Sequence, residues 1–239
     1  IVYSMYKPSG QITTMTILTP ILMQAEGAEG LHQILRDKFV EGNAFFMSLV
    51  ALALVAGLAF CIERIIYLNL AEIDSRKFVG QLDELLSRGD TAGAKEKARS
   101  TVGPVASVCY QGLLRMGEPS DAIERAMESY ANVQLSLLEK GSAWIKLFIA
   151  IAPSLGFLGT VIGMVMAFEN IEMAGDISPT IVAEGMKVAL ITTIFGIVSA
   201  IILQLFYNYI LTKIDRLTAQ MEESAISLID SIEKNRVAR

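Results

Sequence analysis

Thr160, Thr192, Thr193, Ser199 and Gln204 carry hydrogen-bonding groups inside stretches that contain no charge at all. The stretches read APSLGFLGTVIGMVMAF (152–168) and ALITTIFGIVSAIILQ (189–204). A hydroxyl needs a neighbouring base to become a nucleophile, and neither stretch supplies one. What such groups can do is solvate a water chain or a protonatable group brought in by another helix. They do so without the cost of an unpaired charge at membrane depth. The alternative is structural, because Thr bonds to its own preceding turn and small residues let helix backbones approach.

Advancing 100° per residue sorts these side chains onto faces. Ala152, Gly156, Gly159, Thr160, Gly163 and Ala167 fall within about 100° of one helix. Gly185, Ala189, Thr192, Thr193, Gly196, Ser199, Ala200, Gln204 and Tyr207 fall within about 140° of a second. Leu, Ile, Val, Phe and Met fill the remaining faces. Close packing is the better reading of the glycines. The hydroxyls exceed what packing requires and leave a polar-lined lumen as an equal alternative.

These residues sit on elements that composition makes plain. The 239-residue chain is 53% hydrophobic and 19% charged, with a mean hydropathy of +0.48. Ala44–Ile62, Leu147–Phe168 and Val188–Leu211 are uncharged for 19, 22 and 24 residues. At about 1.5 Å per residue, each approaches or exceeds the roughly 30 Å hydrocarbon layer. The expected fold is an all-α membrane protein with three transmembrane helices and long helical extensions. The boundaries read from the sequence are an N-terminal segment over 1–43, spans at 44–62, 142–168 and 181–211, a polar helical domain at 63–141, a short loop at 169–180 and a terminal helix at 212–239.

Of 20 Lys and Arg, three precede the first span, one (Lys187) lies between the second and third, and 16 lie in 63–146 or after 211. Cations gather on the cytoplasmic side, so the N-terminus is expected outside and the C-terminus inside. Leu31, Ile34, Leu35 and Phe39 recur at helical spacing, which predicts a helix on the outer surface. In the polar domain, SRGD, VGP and GEPSD punctuate helical stretches, and Ser120 or Asp121 is the expected N-cap of the longest one. After the third span, Ile210, Ile214, Leu217, Met221, Ala225, Leu228 and Ile232 form an apolar seam. That seam reads as a rod in search of a partner, hence an oligomer.

Several functions are excluded. No nucleotide loop, paired catalytic carboxylates or nucleophile elbow appears, so neither an enzyme nor a nucleic-acid partner is expected. Cys61 and Cys109 have no metal spacing and His32 is alone, so no metal or cofactor is expected.

The motifs resemble the MotA/TolQ/ExbB proton-channel family, most closely its ExbB members. That family shows Ala-Pro, then G-x-x-G-T-V-x-G-M, then G-I-x-x-A-L-x-T-T-x-x-G-L. Ala152, Pro153, Gly156, Gly159, Thr160, Val161, Gly163 and Met164 match the first part. Gly185, Ala189, Leu190, Thr192, Thr193 and Gly196 match the second, with Met186 and Ile197 as apolar replacements. ERIIYL, at the end of the first span, is also similar. The resemblance implies a pentameric ring in a bacterial inner membrane, around a dimer of a single-span ExbD-like protein whose aspartate carries the proton. It implies that Thr160 and Thr193 line the pore, with Thr192, Ser199 and Gln204 as further candidates. Pro153, Gly156, Gly159, Gly163, Ala189, Gly196 and Ala200 would pack the partner helices.

Members often carry a glutamate five residues before the second pore threonine, where this chain has Val188. Glu184, one turn earlier, can replace it at the outer mouth or pair with Lys187 at i, i+3. The expected function is a ring subunit of a proton-motive-force-driven motor that works with a TonB-like protein to energise outer-membrane transport. A TolQ-like or gliding/stator motor and a non-conducting helical scaffold are the alternatives.

Overall fold

The computed structural model describes residues 39, 42, 44–175 and 179–237. The expected surface helix lies outside these, apart from Phe39, whose ring meets Phe195 edge-on at 6.2 Å. Seven helices follow in order among the described residues: α1 Ala44–Ala71, α2 Ser75–Ser87, α3 Thr91–Ser100, α4 Pro104–Leu114, α5 Ser120–Leu138, α6 Ser142–Ala174 and α7 Pro179–Val237. Three of the helices are long and apolar enough to cross a membrane. No strand occurs among the described residues. The all-helical architecture with three candidate spans is therefore present.

Helix occupies part of the expected 169–180 loop. Glu169, Glu172, Met173 and Ala174 are good helix formers and carry α6 onward. Gly175 then takes φ +70°, and its N–H donates to the Ile171 carbonyl at 3.1 Å. A left-handed glycine is the usual helix stop.

The chain divides into two compact units, each drawing on α1, α6 and α7. The first takes the chain up to Val50 together with Leu155–Gly196, and the second takes Ala51–Ser154 with Ile197–Arg239.

In the second unit, α2–α5 form the polar helical region. Asp74 and Asp90 cap α2 and α3 by accepting from the Lys77 and Gly93 amides, at 3.1 and 2.8 Å. The expected cap of α5 is corrected. Pro119 is the capping residue, with no side-chain bond, and its carbonyl accepts from the Ala122 and Ile123 amides. Ser120 is the first helical residue, and its hydroxyl is taken by the Glu233 carboxylate.

The apolar seam of α7 requires a larger correction. Ile210, Ile214, Leu217, Met221, Leu228 and Ile232 are all buried within this one chain. They share a core with Phe78, Leu82 and Leu86 of α2, Leu113 of α4, and Ile123 and Met127 of α5. Periodicity reported a buried face correctly but not what covers it. The seam is satisfied internally and is no argument for an oligomer. Each fully buried side chain of this kind contributes about 1.5–3 kcal/mol, against about 0–1 kcal/mol for an exposed ion pair. The core, rather than surface charge, holds α7 in place.

Polar contacts then fix the register. Glu72 accepts from Lys213 and pairs with Arg216 at 3.3 Å. The Lys213 hydrogen bond holds the Glu72 carboxyl below its ordinary range, and the charges of Lys213 and Arg216 act the same way. The Arg236 guanidinium donates to the Met116 and Glu118 carbonyls.

Near the apolar part of this unit, Phe60 stacks on Trp144 and Phe148 at 6.1 and 6.0 Å between ring centroids. Arg64 is buried, forms a double hydrogen bond with Glu63 at 2.6 Å and lies 4.9 Å from the centre of the Tyr67 ring. Gly141, at φ +88°, lets the chain turn beside that guanidinium. Aromatic and cationic anchors of this kind mark the edge of an apolar slab.

Candidate functional site

In the first unit, the small faces of α6 and α7 pack against each other. A Cβ on Gly156 would stand 3.0 Å from the Thr192 carbonyl oxygen and 3.2 and 3.3 Å from the Cα atoms of Thr193 and Gly196. These are backbone atoms, so only glycine fits without moving a helix. A Cβ on Gly159 would lie 2.7 Å from the Thr192 methyl and 3.3 Å from Phe46 of α1. A Cβ on Gly163 would lie 3.3 Å from the Ala189 methyl, and Gly185 sits against Ala167. The packing reading of the glycines is what this contact looks like in atomic terms.

The threonines do something more specific. The Thr160 and Thr193 hydroxyls are hydrogen-bonded to each other across the two helices, and either can be the donor. Thr160 Oγ1 also lies 3.2 Å from the Gly156 carbonyl and 3.3 Å from the Ala189 carbonyl. Thr193 Oγ1 reaches the Gly156 carbonyl at 3.1 Å. Two hydroxyls hold only two hydrogens. If Thr160 donates to Thr193, then Thr193 donates to Gly156. If Thr193 donates to Thr160, then Thr160 donates to Ala189 or Gly156. The pair is therefore a clasp with two polarities, each fully satisfied. Both residues are half-buried, so the clasp keeps an accessible side.

The other candidates divide. Thr192 is fully buried and donates to the Val188 carbonyl at 3.0 Å, so its methyl packs and its hydroxyl serves its own helix. Gly196 faces Gly156 in the same contact. Glu184 and Lys187 are exposed on the first turns of α7.

Ser199, Ala200, Gln204 and Pro153 belong to the second unit. Ser199 and Ala200 are buried. Gln204 is exposed and donates to the Asn208 amide oxygen at 3.0 Å. Asn208 was not among the sequence candidates, although an amide four residues beyond Gln204 is a readable signal. Pro153 lies inside α6 and withholds an amide there. Among the described residues, no group of three or more His, Cys, Asp or Glu could hold a metal ion.

A family model described as the MotA/TolQ/ExbB proton channel family matches residues 100–223, just over half of the chain. This chain belongs to that family. Its members are channel proteins rather than enzymes. As a MotA/TolQ/ExbB family member it is 32% identical over 168 residues to an ExbB homolog of biopolymer transport from Methanothermobacter thermautotrophicus. That match covers 70% of this chain and 60% of the relative, so the chain spans less than two thirds of that protein's length. An ExbB-like protein of Synechocystis sp. is 26% identical over 170 residues, 70% of this chain and 80% of its own. A chain of the C. jejuni MotAB structure shares the fold at a TM-score of 0.54 and 16% identity, covering 94% of this chain and 88% of that one.

Proposed function

We propose that this chain is the ring subunit of a proton-motive-force-driven motor in a bacterial inner membrane. Its N-terminus is periplasmic, and its polar region and C-terminus are cytoplasmic. The ring surrounds a dimer of a single-span ExbD-like protein. It works with a TonB-like protein to energise outer-membrane transport.

The observation that carries this reading is the Thr160–Thr193 clasp. It places a reversible hydrogen-bond pair on an uncharged helix contact, in a chain of a proton-channel family. The chain supplies no carboxylate within the 188–211 run, so the titrating group must come from the partner helix. The pair can then donate to a carboxylate by releasing the backbone carbonyl that holds its second hydrogen, or accept from a carboxylic acid on a hydroxyl lone pair, in both cases without creating a charge. One charge crossing the membrane releases about 2.3 kcal/mol per 100 mV, enough for a modest conformational step per proton.

The test is co-expression with the single-span partner, followed by proteoliposomes under an imposed proton gradient. Expected are co-purification of both chains and a proton flux that vanishes when the partner's intramembrane aspartate is changed to asparagine. A flux unaffected by that change, or no flux from an intact complex, overturns the proposal in favour of a scaffold. Thiol labelling of cysteines placed in 75–139 from the cytoplasmic side alone checks the topology.

A further inference from the structure

We propose that copies of this chain join head-to-tail through two unlike flanks of α5, one acidic and one basic. This rests on the ring reading above and names the surface through which neighbours meet in the polar region.

The first flank is a groove of about 340 Å³ between α5 and the second half of α7. Glu124, Glu128 and Glu222 line it together with the apolar Leu135, Ile226 and Ile229, and no cation does. Ile226 is 63% exposed, which is unusual for isoleucine on a polar helix. None of the three glutamates has a side-chain partner among the described residues.

The second flank is a hollow of about 470 Å³ on the other side of α5. Arg115 and Arg125 line it with Ala126, Ser129 and Val133, and no acid does. Val133 is 52% exposed and Leu137, one turn on, 45%. Arg115 has only a loose contact with Glu118 at 3.9 Å, and Arg125 is exposed.

One helix thus carries an acid-rimmed apolar groove and, about 130° round its axis, an arginine-bearing apolar ridge. Each flank leaves apolar side chains in water, and each carries the charge the other lacks. Because the two are different surfaces, their union is heterologous, and successive copies continue in one rotational sense. Spans anchored in one bilayer restrict that rotation to an axis along the membrane normal, which closes a ring instead of growing a helix.

The test uses the full chain in native membranes. The native Cys61 and Cys109 are buried and do not interfere. Glu222→Cys on the groove and Ser129→Cys on the ridge side are combined in one chain and treated with a short bifunctional maleimide. A ladder ending in a closed species is expected, with neither single variant passing the dimer. Glu124→Arg with Glu128→Arg, read through a Glu222→Cys/Ser129→Cys pair, should reduce the ladder by about tenfold or more. Adding Arg115→Glu with Arg125→Glu should restore it, which also shows that the reversed chain folds. A ladder indifferent to charge reversal overturns the inference. So does its absence from a chain that native mass spectrometry shows to be oligomeric. In that second case the ring reading survives, and the groove is left for a cationic segment of another protein.

Discussion

Thr160→Val and Thr193→Val should abolish proton flux while barely disturbing the fold. Neither substitution orphans its partner. Without the Thr160 hydroxyl, Thr193 still donates to the Gly156 carbonyl at 3.1 Å. Without the Thr193 hydroxyl, Thr160 still reaches the Gly156 and Ala189 carbonyls at 3.2 and 3.3 Å. The loss is one interhelical hydrogen bond, worth about 0.6 kcal/mol on average and about 1.7 at most inside a membrane. That amounts to roughly a three- to twentyfold change in the folding equilibrium. Valine matches threonine in shape, so the glycine contacts survive. The two polarities of the clasp do not. Stability is read from unfolding in mixed detergent micelles, and flux from proteoliposomes containing the single-span partner. Thr160→Ser should keep flux, because it keeps the hydroxyl. Full flux in both valine variants would refute the reasoning. A stability loss above about 3 kcal/mol would refute it too, by making the pair a structural keystone.

Gly156→Ala should weaken the α6–α7 contact more than Gly163→Ala, because its Cβ would meet backbone atoms at 3.0–3.3 Å, whereas a Cβ on Gly163 would meet the Ala189 methyl at 3.3 Å and backbone only from 3.5 Å; helix-to-helix cysteine cross-linking would check it. The Glu72 carboxyl titrates lower in the folded chain than in the unfolded one. Its stabilising contribution is therefore complete at neutral pH and lost as pH falls below about 4.3, the unfolded value, through the folded value. Glu72→Gln should lower the thermal midpoint at neutral pH and make its fall shallower as pH drops below about 4.3. Burial pushes the Cys109 thiol up to about 12, so it should resist maleimide at pH 7.5 or thereabouts until the polar region unfolds.

What the sequence made legible follows from what each pattern reports. Three uncharged runs can be only so many things at this length, and α1, α6 and α7 contain them. The breaks at SRGD, VGP and GEPSD fall between α2 and α3, α3 and α4, and α4 and α5. The helical-wheel arcs put Gly156, Gly159 and Thr160 on one face and Thr193 on the small-residue face of another helix, because a face is a local property. The partner of a face is not local. The Ile210–Ile232 seam showed its period but not that α2, α4 and α5 cover it, since those residues lie some 70 to 150 positions earlier. Ser120 failed as a cap for a similar reason, because Glu233 competes for its hydroxyl from 113 residues away. The reversible polarity of the threonine pair depends on distances between two helices, which no spacing rule contains.

The internally covered seam also sets a timetable for making the protein. Phe78, Leu82, Leu113 and Met127 are synthesised early, yet the wall that covers them is residues 210–232 of α7. Until the third span has entered the bilayer and those residues have emerged, the polar region has an open apolar flank. Loop closure over so many residues is slow as well as late. A ribosome that stalls after the third span therefore releases a chain that is inserted but visibly unfinished to proteases and chaperones. Sealing of this flank marks the chain as completely folded. A chain cut near residue 209 should disappear from the membrane quickly, long before the question of a working channel arises.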